Sequence, residues 1–117
     1  MYATNVQTMQ RYLAELVEGG DFTDIPMSPD VFFTGSLSAT TGAAKYRSIC
    51  QGFAEAVRGL SVRTIAGGDD VIHAVYDVDM GLVSGPLPTS QTVEFAGGAF
   101  VSVEVIFDAA QITGTAS

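Results

Sequence analysis

Tryptophan is absent from the 117 residues, histidine and cysteine occur once each, and only five side chains are basic. The single thiol, Cys50, excludes an intramolecular disulfide and any thiolate zinc spacing, so the chain reads as a protein of a reducing compartment, the cytoplasm. One histidine, His73, and no convergent carboxylate motif leave too few ligands for a metal site, and none is expected. Nothing in the sequence asks for a cofactor. The cations Arg11, Lys45, Arg47, Arg58 and Arg63 all lie in the first 63 positions, whereas Asp69, Asp70, Asp77, Asp79, Glu94, Glu104 and Asp108 follow with no counter-charge, for a formal net charge of −8. A nucleic-acid or anionic-membrane surface is bound through clustered Lys and Arg, so neither is an expected partner. No apolar run approaches the roughly 18 residues of a membrane span, and the opening MYATNVQTMQR lacks the basic start and apolar core of a leader.

What is present is a core. Apolar residues make up 47% of the chain and charged ones 15%, which suits one folded domain over residues 1–117. Thr4-Asn5-Val6-Gln7 has the pattern of a capping box. Val6, Met9, Leu13, Leu16 and Val17 then form one helical stripe bordered by Tyr12, and Gly19-Gly20 ends it. Pro26 and Pro29 allow at most a short helical turn within residues 21–29. Val31 to Gly35 reads as a strand. A second helix begins near Thr41 or Gly42, carries Tyr46, Ile49, Phe53 and Val57 at helical steps, and stops at Arg58-Gly59. Cys50 falls between Ile49 and Phe53 and reads as a buried small hydrophobe.

After this helix the period becomes two. Leu60 to Ala66, Val71 to Met80, Ser90 to Ala96 and Ala99 to Phe107 alternate, separated by Gly67-Gly68, by Gly81 with Gly85-Pro86, and by the hairpin signal Gly97-Gly98. Asp69-Asp70 reads as turn chemistry. The order implies an α+β fold with a largely antiparallel sheet and its helices on one face. The small-residue tail after Ala109 is expected to fray.

In the last strand Val101, Val103, Val105 and Phe107 point to the core. In the run from Val71 the even set is Ile72, Ala74, Tyr76, Val78 and Met80, and the odd set is Val71, His73, Val75, Asp77 and Asp79. Simple alternation buries the even set. Val71 and Val75 among the polar odd positions leave open the opposite assignment, with the odd face lining a pocket and the even stripe forming a homodimer surface.

The arrangement resembles the nuclear transport factor 2-like superfamily, which includes SnoaL-like polyketide cyclases, ketosteroid isomerase and limonene epoxide hydrolase. The likeness is carried by Gln10-Arg11-Tyr12-Leu13, Gly20-Asp21-Phe22, Asp30-Val31-Phe32-Phe33, Gly42-Ala43-Ala44, Gly68-Asp69-Asp70-Val71 and the final hairpin from Phe95 to Asp108. It spans nearly the whole chain at fold-level positions rather than through a catalytic signature. The resemblance implies a cystatin-like cone, a strongly curved, mostly antiparallel sheet wrapped around N-terminal helices with a central pocket, commonly in a homodimer through the outer sheet face. Tyr12 matches the oxyanion-donating tyrosine of ketosteroid isomerase. The base does not carry over, since Thr34-Gly35-Ser36 stands in its place, and the second acid falls on or near Gln91. The acidic set of the epoxide hydrolase is likewise missing, with Val105 at one of its positions.

Under that frame His73, Val75 and Asp77 line the pocket beside Gln91, Val93 and Phe95, with Tyr12 opposite, and Phe33, Phe53 and Phe107 either line or plug it. His73 and Asp77 share a face about 13 Å apart by strand rise and are no dyad. The chemistry this allows is proton transfer next to a carbonyl of an apolar small molecule, with Asp77 as base, Tyr12 as oxyanion donor, and His73 or Gln91 orienting the ligand. The expected function is a pocket for an apolar small molecule, as an isomerase, cyclase or dehydratase; the alternative is a non-catalytic ligand-binding or protein-interaction module. An open pocket favours the small-molecule readings, and a plugged one favours the interaction module.

Overall fold

The structure is a computed structural model that describes residues 2–82 and 85–108. These residues form two helices and a six-stranded curved sheet: α1 (Tyr2–Glu18), β1 (Met27–Gly35), β2 (Ala39–Thr41), α2 (Ala43–Ala56), β3 (Gly59–Gly67), β4 (Val71–Asp79), β5 (Leu87–Ala96) and β6 (Ala99–Ile106). The spatial order is β2-β1-β6-β5-β4-β3. All neighbours are antiparallel except β1 and β6, which run parallel.

The helices follow their apolar stripes. Met9, Tyr12, Leu13 and Leu16 of α1 and Tyr46, Cys50 and Ala54 of α2 are buried, whereas Val17, read as part of the first stripe, is 43% exposed on its flank. The helix begins at Tyr2, so Thr4 lies within it rather than capping it, and the Thr8 hydroxyl donates back to the Thr4 carbonyl at 3.1 Å. Residues 21–25 form turns and no helix. β2 has three residues and no apolar alternation, so no periodic signal marks it in the sequence. Gly97 and Gly98 both have positive φ, 59° and 81°, as a two-residue hairpin turn of the primed type requires. The expected fraying tail after Ala109 lies outside the described residues.

The sheet faces correct two expectations. In β4 it is Ile72, Ala74, Tyr76 and Val78 that are buried, none more than 2% exposed, while His73 and Asp79 are exposed. The even set brings more apolar volume than Val71 and Val75 can, and register follows the face that buries more. The even stripe therefore packs against the helices and supplies no dimer surface. In β6 the register with β5 shifts between Glu94 and Phe95, so that Phe100 points inward before the irregularity and Val103 after it. The expected odd-numbered core face holds only beyond that bulge.

Candidate functional site

Between the two helices and one end of the sheet lies a cavity of about 120 Å³. One water needs roughly 10–15 Å³ and an apolar cavity of about 150 Å³ accepts benzene, so this one suits several waters or a single small ring. Its walls are mostly apolar, with Leu16 of α1, Ile49 and Phe53 of α2, Phe33 of β1, Val105 of β6 and Phe107 just beyond. The mouth is the β1–β2 turn, where Ser36, Leu37 and Ser38 are exposed. Ser36 fastens that turn to the end of β6, its hydroxyl donating to the Phe107 carbonyl at 2.9 Å and accepting from the Phe107 N–H at 3.0 Å.

Polar groups reach this cavity from three elements. Tyr46 and Cys50 stand four apart on α2 and therefore on one face. Tyr12 comes from α1, boxed by Phe22 and Phe100, each with its ring centre 5.6 Å away. Tyr76 comes from the buried face of β4. The Tyr46 hydroxyl donates to the Tyr12 hydroxyl at 2.9 Å, and Tyr12 lies 3.6 Å from the Cys50 sulfur. The Tyr76 hydroxyl donates to Gln91 Oε1 at 2.7 Å.

Burial holds all four of these groups neutral. Desolvation pushes Tyr12 and Tyr46 well above the ordinary phenol value, helped by the neighbouring thiol and phenol charges that ionisation would create. It raises Tyr76 as well, and it pushes the Cys50 thiol up to about 11, against the smaller opposing effect of its phenol neighbours Tyr12 and Tyr46. Cys50 is thus a buried, protonated thiol with little nucleophilic character. Among the described residues no carboxylate, imidazole or cationic side chain lines the cavity, and no three His, Cys, Asp or Glu side chains gather to hold a metal ion.

The expected site residues separate into three groups. Tyr12, Phe33, Phe53 and Phe107 line the cavity, and the phenylalanines leave it open. Gln91 and Val93 are fully buried but are not among the residues that line it. His73, Val75 and Asp77 are on the outer face of the sheet, which corrects the expectation that they line the pocket. There His73 Nδ1 shares a hydrogen bond with Thr92 Oγ1 at 3.0 Å. Asp77 is held by the Arg63 guanidinium in a two-pronged pair of 2.7 and 2.8 Å. The residues that sequence reasoning missed are Tyr46, Cys50 and Tyr76. Their signal was a hydroxyl or thiol repeated at core positions of α2 and β4, a pattern indistinguishable from ordinary core until the elements are packed.

No protein-family model and no curated protein sequence matches the chain. Solved structures do match it in shape. A nuclear transport factor 2-like protein of unknown function from Cytophaga hutchinsonii superposes with a TM-score of 0.76 at 14% identity, over 93% of this chain and 94% of that one. A protein named as a SnoaL-like polyketide cyclase from Jannaschia sp. CCS1 gives 0.72 at 18%, over 95% and 90%. An LEH-like epoxide hydrolase from M. tuberculosis gives 0.74 at 12%, over 96% and 88%. At these identities the likeness establishes the nuclear transport factor 2-like, cystatin-like fold, as the sequence resemblance implied.

Proposed function

We propose that this chain, with its nuclear transport factor 2-like fold, binds a small, neutral, largely apolar molecule in the cavity between α1, α2 and the sheet, and does so without proton-transfer chemistry. The observation that carries this reading is the cavity's polar inventory: Tyr12, Tyr46, Tyr76 and Cys50, with the Ser36 and Ser38 hydroxyls at its mouth, all neutral at physiological pH, with no charged group among the described lining residues. A carboxylate or phosphate brought there would lose hydration with no counter-charge to replace it. A general base is equally lacking, because Asp77 sits across the sheet in its pair with Arg63. The names of two solved neighbours, a polyketide cyclase and an epoxide hydrolase, lend support to an organic small-molecule ligand but to no reaction.

Tyr12 is the group that would hold such a ligand. Its hydroxyl receives a proton from Tyr46, and its own proton faces only a thiol sulfur, a weak acceptor. A ligand oxygen that replaces the thiol gains a hydrogen bond from a phenol already polarised by its neighbour.

The test is a thermal-shift screen of neutral single-ring ketones and monoterpenoids beside fatty acids and aromatic carboxylates. At about 100 times the dissociation constant a ligand stabilises by about 2.7 kcal/mol, a rise of several degrees for a domain of this size. Neutral compounds should raise the melting temperature of the wild type, and less so that of Tyr12→Phe. Hits confined to the acids, or turnover of a bound compound through proton abstraction, would sink the proposal.

A further inference from the structure

The direction of the Tyr76 hydroxyl is fixed by a residue that does not itself line the cavity. Gln91 stands opposite Ala74 of β4 on one side and Val105 of β6 on the other. Val105 and Tyr76 both line the cavity, and Gln91, with no exposed surface, stands on the same inner face of the sheet without lining it. A phenol has one proton, and Tyr76 gives it to Gln91 Oε1 at 2.7 Å. What Tyr76 can still offer is its oxygen lone pairs, as an acceptor. Tyr76 is itself among the residues that line the cavity, together with Tyr12, Tyr46 and Cys50.

A second observation bears on Gln91 itself. Its Nε2 is buried without a hydrogen-bond partner. Leaving an amide donor unpaired in a core is costly, and a methionine or leucine would fill the space without that cost. The carboxamide's useful contact is the one made by Oε1, which holds the Tyr76 proton. Tyr12 meanwhile presents a donor, since its proton has only sulfur to face. Tyr46, whose proton goes to Tyr12, can likewise only accept, so among the cavity's phenols Tyr12 alone has a proton to give, while Tyr76 and Tyr46 offer lone pairs.

We propose that Gln91 fixes Tyr76 as a hydrogen-bond acceptor and thereby makes the cavity selective for a neutral hydroxyl compound, an alcohol or phenol of single-ring size, over the ketone or hydrocarbon of the same shape. The inference rests on the reading that the cavity binds small neutral molecules. A ligand hydroxyl donates to Tyr76 and keeps lone pairs for an incoming donor such as Tyr12. A ketone satisfies only Tyr12 and sets its oxygen against the lone pairs of Tyr76. A hydrocarbon satisfies neither. In this scheme Gln91 is a positioning residue that acts through Tyr76.

The experiment titrates cyclohexanol, cyclohexanone and methylcyclohexane into the full chain by proton–nitrogen correlation spectroscopy, in the wild type, Gln91→Met and Tyr76→Phe. In the wild type cyclohexanol should bind about tenfold more tightly than cyclohexanone, the worth of one hydrogen bond. Gln91→Met releases the Tyr76 proton toward the cavity, so the alcohol-to-ketone ratio should fall several-fold, a change that a merely structural role for Gln91 would not produce. Tyr76→Phe keeps the ring, removes the oxygen and should also lower the ratio several-fold, an outcome that does not depend on how Gln91→Met folds. Equal affinities in the wild type, or a ratio unchanged in either variant, would overturn the inference and leave the cavity reading standing. Binding of none of the three probes would overturn both.

Discussion

The Tyr46 hydroxyl donates to the Tyr12 hydroxyl across 2.9 Å, and the two rings lie nearly parallel with centroids 6.4 Å apart. The donor comes from α2 and the acceptor from α1, so one bond both ties the helices together and orders the polar side of the cavity. Its direction decides which phenol has a proton to spare.

Tyr12→Phe removes that bond and the cavity's best donor together. The variant should lose about 1 kcal/mol of stability, one buried hydrogen bond, and should bind cyclohexanone several-fold more weakly. Tyr46→Phe costs a similar amount of stability but leaves the Tyr12 O–H in place, so its effect on binding should be smaller. Urea unfolding and the same ketone titration separate the two variants. Equal losses of binding would show that Tyr12 is not the donor.

The turn between α1 and β1 is braced by side chains of both helices as well as by its own hydrogen bonds. Phe22 has a positive φ of 65°, unusual for a bulky residue, yet its ring is fully buried. Its N–H donates to Glu15 Oε1 at 2.9 Å, and Arg47 reaches over to donate to the carbonyls of Phe22 at 2.9 Å and Ile25 at 2.8 Å. Hydrogen bonds from a charged donor are worth about 1.5–3 kcal/mol. Arg47→Met should therefore lower stability by about 2 kcal/mol, seen as a lower urea midpoint with an unchanged slope. Arg47→Lys should recover only part of this, because one ammonium lacks the guanidinium fork that spans two carbonyls.

Alkaline pH should erode stability through the cavity's own groups. The folded Cys50 thiol sits at about 11 against an ordinary 9.0, and Tyr12, Tyr46 and Tyr76 are likewise raised by desolvation. A group raised on folding contributes stability in full below its unfolded value and loses it as pH rises through the folded one. Stability should thus hold to about pH 9 and then decline by about 1.4 kcal/mol per pH unit for each proton that only the unfolded chain releases. Cys50→Ala should flatten the decline between pH 9 and 11, and the phenols should dominate above about pH 10. Urea midpoints at about pH 7, 9 and 10 for both proteins check this; identical slopes would remove Cys50 from the account.

Much of this molecule is legible in the sequence because it is local. The stripes of α1 and α2, the existence of the strands β3 to β6 and the Gly97-Gly98 turn each depend on residues within one element or one hairpin. The expected alternation of β3 is nonetheless lost at its register shift, where Val62 is exposed. β2 is too short and too exposed to leave a periodic trace. The inward face of β4 was readable from alternation alone, and the family resemblance pointed the other way because it located the strand but not its register. The cavity escaped because it is non-local: Tyr12 and Tyr46 are 34 positions apart, and Tyr76 and Gln91 15 apart on neighbouring strands. A tyrosine within an apolar stripe looks the same whether its hydroxyl ends in a cavity or on a carbonyl.

Asp77→Asn should leave the affinity for cyclohexanone and cyclohexanol unchanged. Asp77 lies opposite Ser61 of the edge strand β3, and Arg63 sits where the β3–β4 register shifts, between Val62 and Thr64. That irregularity aims the guanidinium at the carboxylate on the outer face, where the Arg63 side chain is 57% exposed. Hydrogen bonding and charge from Asp77 raise the already high Arg63 value, while solvent screens the pair on its open side. The variant's effect should accordingly be confined to the edge: a small loss of stability at low salt, faster amide exchange in β3, and no difference from wild type near 1 M salt, where charges screen each other within about 3 Å. The sheet stands between Asp77 and the cavity, so no ligand there can feel the lost charge at close range. A drop of more than about threefold in affinity for either probe, roughly half the worth of one hydrogen bond, would return Asp77 to the binding site and reopen proton transfer as the chemistry of this fold.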